Sequence, residues 1–225
     1  LGLTIILFSA VSAQAAPAFL GNLSLTAGLA NNEGVFGASA TETNLSETGT
    51  AGHIKKEHGV FTDSFGSQFI ELGIGSWFSV GYEHTPDSVS TPQNTTRQNS
   101  ANESTVSVDF NDVNTSYVKL NLPFGGLYVK AGTVETDLDI KETMGSGSTY
   151  ANVSTSGNVT AIGHSSFIKD TGFGLRVEAA YMELDNVSTN NGATTASVAN
   201  GGLNTIDATD MQGLTGKIAI TYTFG

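Results

Sequence analysis

From Leu214 to Phe224 every second residue is apolar, aromatic or glycine: Leu214, Gly216, Ile218, Ile220, Tyr222 and Phe224. Between them stand Thr215, Lys217, Ala219, Thr221 and Thr223, all small or polar. A period of two sustained this long makes a strand with one greasy face and one wet face. Its length suits a tilted strand crossing a bilayer, which takes roughly 9–11 residues. A soluble sheet rarely leaves so long a greasy edge at its end.

The rest of the chain agrees with a membrane built from strands. No run after residue 16 is long and apolar enough for a membrane helix, which needs about 20 residues. Apolar residues make up 39% and mean hydropathy is −0.02. Alternation hides a barrel's membrane signal in that way. The 225 residues carry 21 acidic and 9 basic side chains, net charge −12, which argues against a nucleic-acid partner. With no cysteine there is no disulfide framework and no thiolate metal site.

Leu1–Ala15, LGLTIILFSAVSAQA, has a short apolar core followed by Ala13 and Ala15 in an A-x-A arrangement. This is the end of a secretory signal peptide without its basic start. Residues 1–15 are thus expected to be removed, leaving residues 16–225 as one barrel domain.

Strand-like segments then alternate with polar ones. Residues 19–43 carry Leu23, Leu25, Ala27 and Leu29 on one face, but the phase is interrupted at Asn31–Gly34. This is either one long strand with a bulge or two strands joined by a hairpin. Further strands are expected at 65–73, 77–84, 116–122, 127–135, 158–168 and 173–184 before the closing one. Long polar loops are expected at about 44–63, 86–113, 137–156 and 186–210, separated by short turns. One strand in the first region gives eight, and alternating long and short connections with an even strand count are the rule for single-chain bacterial barrels. Nine would close badly with both termini on one side. A closed antiparallel up-and-down transmembrane barrel of eight strands is the expectation, because only a closed sheet satisfies its backbone in hydrocarbon.

The charged strand residues define the inside. Glu71, Glu83, Lys119, Lys130, Arg176, Glu178 and Lys217 all fall opposite the greasy side. They form either a charged water path or a set of interior ion pairs, and the narrow interior of an eight-stranded barrel favours ion pairs. Tyr82, Phe124, Tyr128, Phe167, Phe173, Tyr222 and Phe224 lie near strand ends as candidates for aromatic girdles, with Tyr128 inward by phase.

With the signal peptide, the units SYVKLNLPFGGLYVKAG and GHSSFIKDTGFGLRVEAAY, and the closing YTF, the chain resembles the opacity-type, OmpA-like small outer-membrane β-barrels. The resemblance covers nearly all of residues 16–225 and rests on patterns rather than invariant residues. It implies a Gram-negative outer-membrane address, with periplasmic termini and extracellular long loops. It also implies a monomer among outer-membrane lipid and lipopolysaccharide, inserted by the barrel assembly machinery, with Tyr222 and Phe224 as the C-terminal assembly signal. Gly225 after the phenylalanine and the stretch at Asn31–Gly34 depart from the simplest pattern.

Three constellations bear on chemistry. His164-Ser165-Ser166 with Glu178 on the following strand resembles the H-x-S plus acid arrangement of outer-membrane lipid A deacylases, although Phe167 stands where that family has asparagine. His53 and His58 flank a charged segment, but two histidines without a third ligand make a weak metal site. Asp137, Asp139 and Glu142 are oxygen donors suited to Ca²⁺ or Mg²⁺, without the twelve-residue loop of an EF-hand. No catalytic residue, metal or cofactor is assigned on this basis. The sequence reads as a non-enzymatic barrel with a structural or surface-interaction role that displays four polar, acidic loops. A narrow channel for small or apolar solutes, through the lumen or a lateral opening, is the alternative. A lipid A deacylase is a distant third.

Overall fold

The structure is a computed structural model that describes residues 22–44, 53–99, 102–143, 149–192 and 203–224. The expected signal peptide and Gly225 lie outside the described residues. The strands are β1 (Leu23–Asn44), β2 (His53–Ile74), β3 (Phe78–Thr85), β4 (Val89–Ser90), β5 (Asn94–Asn99) and β6 (Asn102–Asn121). They continue with β7 (Leu127–Thr143), β8 (Val153–Phe167), β9 (Phe173–Leu184), β10 (Val187–Asn190) and β11 (Asn204–Phe224). All pairings are antiparallel. Eight strands form the ring β1-β2-β3-β6-β7-β8-β9-β11, and β11 closes it by pairing back onto β1. β4 and β5 prolong the wall along β6, and β10 prolongs it along β11.

The question posed by residues 19–43 is answered by a single strand. β1 pairs with β2 in unbroken register from Leu23↔Ile74 to Asn44↔His53. Neither a bulge nor a hairpin interrupts the phase at Asn31–Gly34. Instead the greasy face changes sides. Below this level the outward residues are Leu25, Ala27 and Leu29; above it the inward residues are Phe36, Ala38 and Ala40. The same exchange recurs around the ring. On β7, Leu127 and Val129 face out while Val134 and Leu138 face in. On β9, Leu175 and Val177 face out while Met182 and Leu184 turn inward. Outside, the apolar residues make one belt next to the short turns. The belt includes the exposed Leu72, Ile74, Val80, Val118, Leu120, Leu175, Val177, Ile218 and Ile220. Such a belt is the surface that lipid covers in a transmembrane barrel.

The long-loop boundaries need correction. β2 begins at His53, β7 runs to Thr143, β8 starts at Val153 and β11 starts at Asn204, so much of each expected loop is strand. The reason is physical. Above the belt the outward side chains meet water and are polar, while backbone pairing continues regardless of side-chain character. Two of the breaks in register lie there. β6 bulges between Asn111 and Asn114, and β11 bulges opposite Gly37–Ser39. Asp112 (φ 49°) and Asp210 (φ 54°) take the left-handed conformation at these bulges, one that Asp tolerates better than branched residues.

The closing strand pairs with β1 through Leu25↔Phe224 and with β9 through Tyr222↔Phe173. Tyr222 packs edge-on against Phe173 and Phe224, with ring centroids 4.9 and 4.7 Å apart. Tyr82, Phe124, Phe167, Phe173, Tyr222 and Phe224 are exposed on the outer surface, whereas Tyr128 is fully buried inside.

Candidate functional site

The lumen has two storeys. The lower one, level with the belt, is filled by the seven charged side chains named from the sequence, all of them buried. Glu71 of β2 accepts a two-pronged bond from Arg176 of β9, Nη1 at 2.6 Å and Nη2 at 2.9 Å. It also accepts from Lys119 Nζ at 2.5 Å and from Tyr117 Oη at 2.8 Å. Glu178 accepts from Lys130 Nζ at 2.5 Å, Tyr128 Oη at 2.7 Å and Lys217 Nζ at 3.2 Å. Glu83 accepts from Lys217 Nζ at 2.6 Å and Ser67 Oγ at 2.7 Å, with Lys130 Nζ 3.5 Å away. Asn32 Nδ2 donates to Ser67 Oγ at 2.9 Å and ties β1 into the network. Every carboxylate thus has at least two cationic or hydroxyl partners, as buried charge requires.

Aromatic rings fill the space between these charges. The Arg176 guanidinium lies 4.7 Å from the Phe69 ring centre, and Lys130 Nζ lies 4.6 Å from that of Tyr117. Each of three rings lies over a glycine directly across the strand ladder: Phe69 over Gly28, Tyr117 over Gly81 and Tyr128 over Gly163. A Cβ at those glycines would come within 2.1, 2.4 and 2.3 Å of the ring atoms. The missing side chains are therefore what lets the rings fold flat against the wall. The alternation of the strands foretold the inward direction of the charges. The glycine seats and the Ser67 and Asn32 links went unread, although Gly81 and Tyr117 sit at matching positions of neighbouring strands.

The upper storey is apolar. Immediately above the ionic layer is an apolar chamber of about 100 Å³. Phe36, Phe61, Phe65, Phe110, Met182 and Met211 are among its lining residues, and Glu83, Glu178, Lys130 and Lys217 form its floor. The Phe36 ring centre is 5.3 Å from that of Phe61 and 6.2 Å from that of Phe65. This chamber was not foreseen, because Phe61, Phe110 and Met211 fall in or at the edge of stretches read as polar loops. Its signal was present as the exchange of the greasy face.

The wall beside the chamber is incomplete. β2 pairs with β3 only from Ile74↔Phe78 to Gln68↔His84. Pro86, which has no N–H to offer a ladder, then turns the chain away, and Val89–Ser90 pairs with β6 instead. Above Gln68 a seam separates β2 from the β3–β4 side. It is bridged by Asp63 of β2, whose Oδ2 accepts from Ser90 N–H at 3.2 Å. Phe61 and Phe65 on one side and Val89 and Thr91 on the other place chamber-lining residues along it.

Among the described residues the other sequence candidates do not assemble into sites. Glu178 faces the lumen, whereas His164 and Ser166 lie on the opposite face of the wall. His164 Nε2 is 2.7 Å from the Gly125 carbonyl oxygen and Ser166 Oγ donates to Leu175 O at 3.4 Å. His58 Nδ1 lies 2.8 Å from Ser39 Oγ, and the side chain of His53 lies outside the described residues. Among the described residues no group of three His, Cys, Asp or Glu is placed to hold a metal. Asp137 and Asp139 face outward, where they accept from Ser154 Oγ and Asn152 Nδ2, while Glu142 faces inward, so that acidic cluster is split by the wall.

Neither a family model nor a curated protein matches the sequence. Solved structures do match the fold. The outer membrane protein OprG from Pseudomonas aeruginosa superposes with a TM-score of 0.53 at 12% identity, over 88% of this chain and 95% of that one. The outer membrane protein AlkL, solved in lipid bilayers, superposes with a TM-score of 0.51 at 14% identity, over 97% of each chain. Fold, apolar belt and closure thus agree: the chain folds as an outer-membrane β-barrel.

Proposed function

We propose that this protein is a bacterial outer-membrane barrel that passes uncharged apolar solutes from its upper chamber sideways into the membrane. The carrying observation is the apolar chamber set against an open seam and above a closed floor. An apolar solute gains by leaving water for the Phe- and Met-lined space, roughly 25 cal/mol for each Å² of surface buried. Going down through the lumen would then bring it among desolvated ion pairs, which have nothing to offer it. Going sideways between Phe65 and Val89 meets the short Asp63–Ser90 contact and then lipid. In this reading the short turns and termini are periplasmic, the long strand extensions stand outside the cell, and the barrel works as a monomer without catalysis.

A structural or surface-interaction role rests on the sealed floor alone and requires no traffic through the seam. The two readings part in one experiment. Asp63→Cys with Ser90→Cys, oxidised in a Gram-negative host, closes the seam; uptake of a fluorescent long-chain alkane probe should fall about tenfold and return on reduction. Equal uptake in the oxidised and reduced states, with the barrel still folded, would overturn lateral release.

A further inference from the structure

Far above the chamber, at the outer mouth of the lumen, stands a group of oxygens that the solute path does not use. Tyr150 is 5% exposed and Asn204 7% exposed. Tyr150 Oη, Asn204 Oδ1 and Glu142 Oε2 are all buried and complete no hydrogen bond of good geometry, although the Tyr150 hydroxyl lies close enough to Asn204 and Glu42 to interact with both. They come from different parts of the wall and are held firmly. Tyr150 N–H donates to Glu142 Oε1, which seats that carboxylate with its second oxygen pointing away. Asn204 is fixed by its backbone, donating to Asn191 Oδ1 and accepting from Asn191 N–H, both at 3.1 Å. Glu42 of β1 shares the inward face two residues before Asn44, the register partner of Asn204. Its charge acts on Tyr150 together with that of Glu142.

Lys55 stands opposite Glu42 in the β1–β2 ladder, but among the described side chains no cation lies beside Glu142. Lys141, the neighbour of Glu142 in sequence, faces the other side of the wall and bonds Asp109. Two carboxylates, an amide oxygen and a phenol oxygen, with no nitrogen or sulfur donor added by the described side chains, match a hard cation. Their mixed, strand-borne geometry leaves room for water ligands and suits the flexible coordination of Ca²⁺ better than the strict octahedron of Mg²⁺.

The geometry points to a Ca²⁺ site at the outer mouth of the barrel, formed by Glu42, Glu142, Asn204 and Tyr150. It joins β1, β7, β11 and the segment before β8, so the bound ion ties together four parts of a wall that projects beyond the lipid. With two charged ligands and several waters, its affinity belongs with the weak extracellular sites, on the order of 10⁻⁴–10⁻³ M.

Terbium(III) tests this on the folded full-length barrel in detergent micelles, because a tyrosine beside the ion sensitises its luminescence. Excitation of the phenol should give saturable emission displaced by Ca²⁺. Glu142→Gln and Asn204→Leu should each weaken binding at least tenfold, and Tyr150→Phe should remove most of the emission. Asp139→Asn, on the outer face, should leave it unchanged. Heat-modifiable gel migration checks that each variant is folded. Emission unaltered in Glu142→Gln or Tyr150→Phe would overturn the site, as would emission lost only in Asp139→Asn.

Discussion

Glu71 and Arg176 meet across the lumen in a two-pronged bond of 2.6 and 2.9 Å, although their strands are not neighbours in the ring. Such a bond braces opposite walls, which the ladder alone cannot do. Removing one partner strands the other charge in a buried place, which costs about 3–5 kcal/mol. Glu71→Ala and Arg176→Ala should therefore each lower stability by about that amount in urea unfolding from micelles. Replacing both with methionine should recover most of the loss. Single variants within about 0.5 kcal/mol of the parent, the range of ordinary surface changes, would show that the brace contributes nothing.

The glycine seats make a second prediction. A methyl group at Gly163 would strike the Tyr128 ring and also the backbone oxygen of Val177, 2.7 Å away. Overpacking of this kind costs about 1–3 kcal/mol. Gly216, on the outer face of β11, has nothing within 4 Å of such a methyl group. Gly216→Ala should be neutral or stabilising by about 0.4–1 kcal/mol, through loss of freedom in the unfolded chain. Equal effects at the two positions would remove the special role of the seats.

The bulge on β11 depends on the left-handed backbone of Asp210. Asp210→Gly should be tolerated, while Asp210→Val should cost roughly 1–2 kcal/mol, the penalty of that conformation for an ordinary residue. Unfolding midpoints of the two variants give the comparison. A valine variant as stable as the glycine variant would mean the bulge has shifted or relaxed.

These relationships divide according to what a sequence can display. The belt, the ring and the inward charges were legible, because lipid outside and ion pairs inside impose a strict period of two. Lys217 and Glu178 could be assigned to the lumen from their neighbours alone. The chamber was not legible, since it depends on the greasy face changing sides partway up each strand. At Asn31–Gly34 that change looks like a broken phase, and at Phe61 or Met211 it looks like an isolated apolar residue in a loop. The seam was equally hidden: Pro86 marked a strand end, but only the pairing shows that β2 continues past it without its former neighbour. Tyr150, Glu142 and Asn204 lie too far apart in the chain for spacing to unite them.

Glu142 supplies the last prediction, with a definite sign. Burial raises its pKa, and the Tyr150 N–H bond opposes this only in part. The folded metal-free barrel therefore holds the Glu142 proton more tightly than the unfolded chain does. That contribution to stability is fully present below the unfolded value, about pH 4, and is lost as pH rises through the folded one. In a chelator the thermal midpoint should include a component that declines from about pH 4 towards neutrality, and Glu142→Gln should remove it. Calcium binds the ionised carboxylate, so adding it should oppose the decline in the parent but not in Glu142→Gln. Thermal unfolding across that range, with and without Ca²⁺, measures both effects. The same pH slope in the parent and the glutamine variant would show that another group controls it.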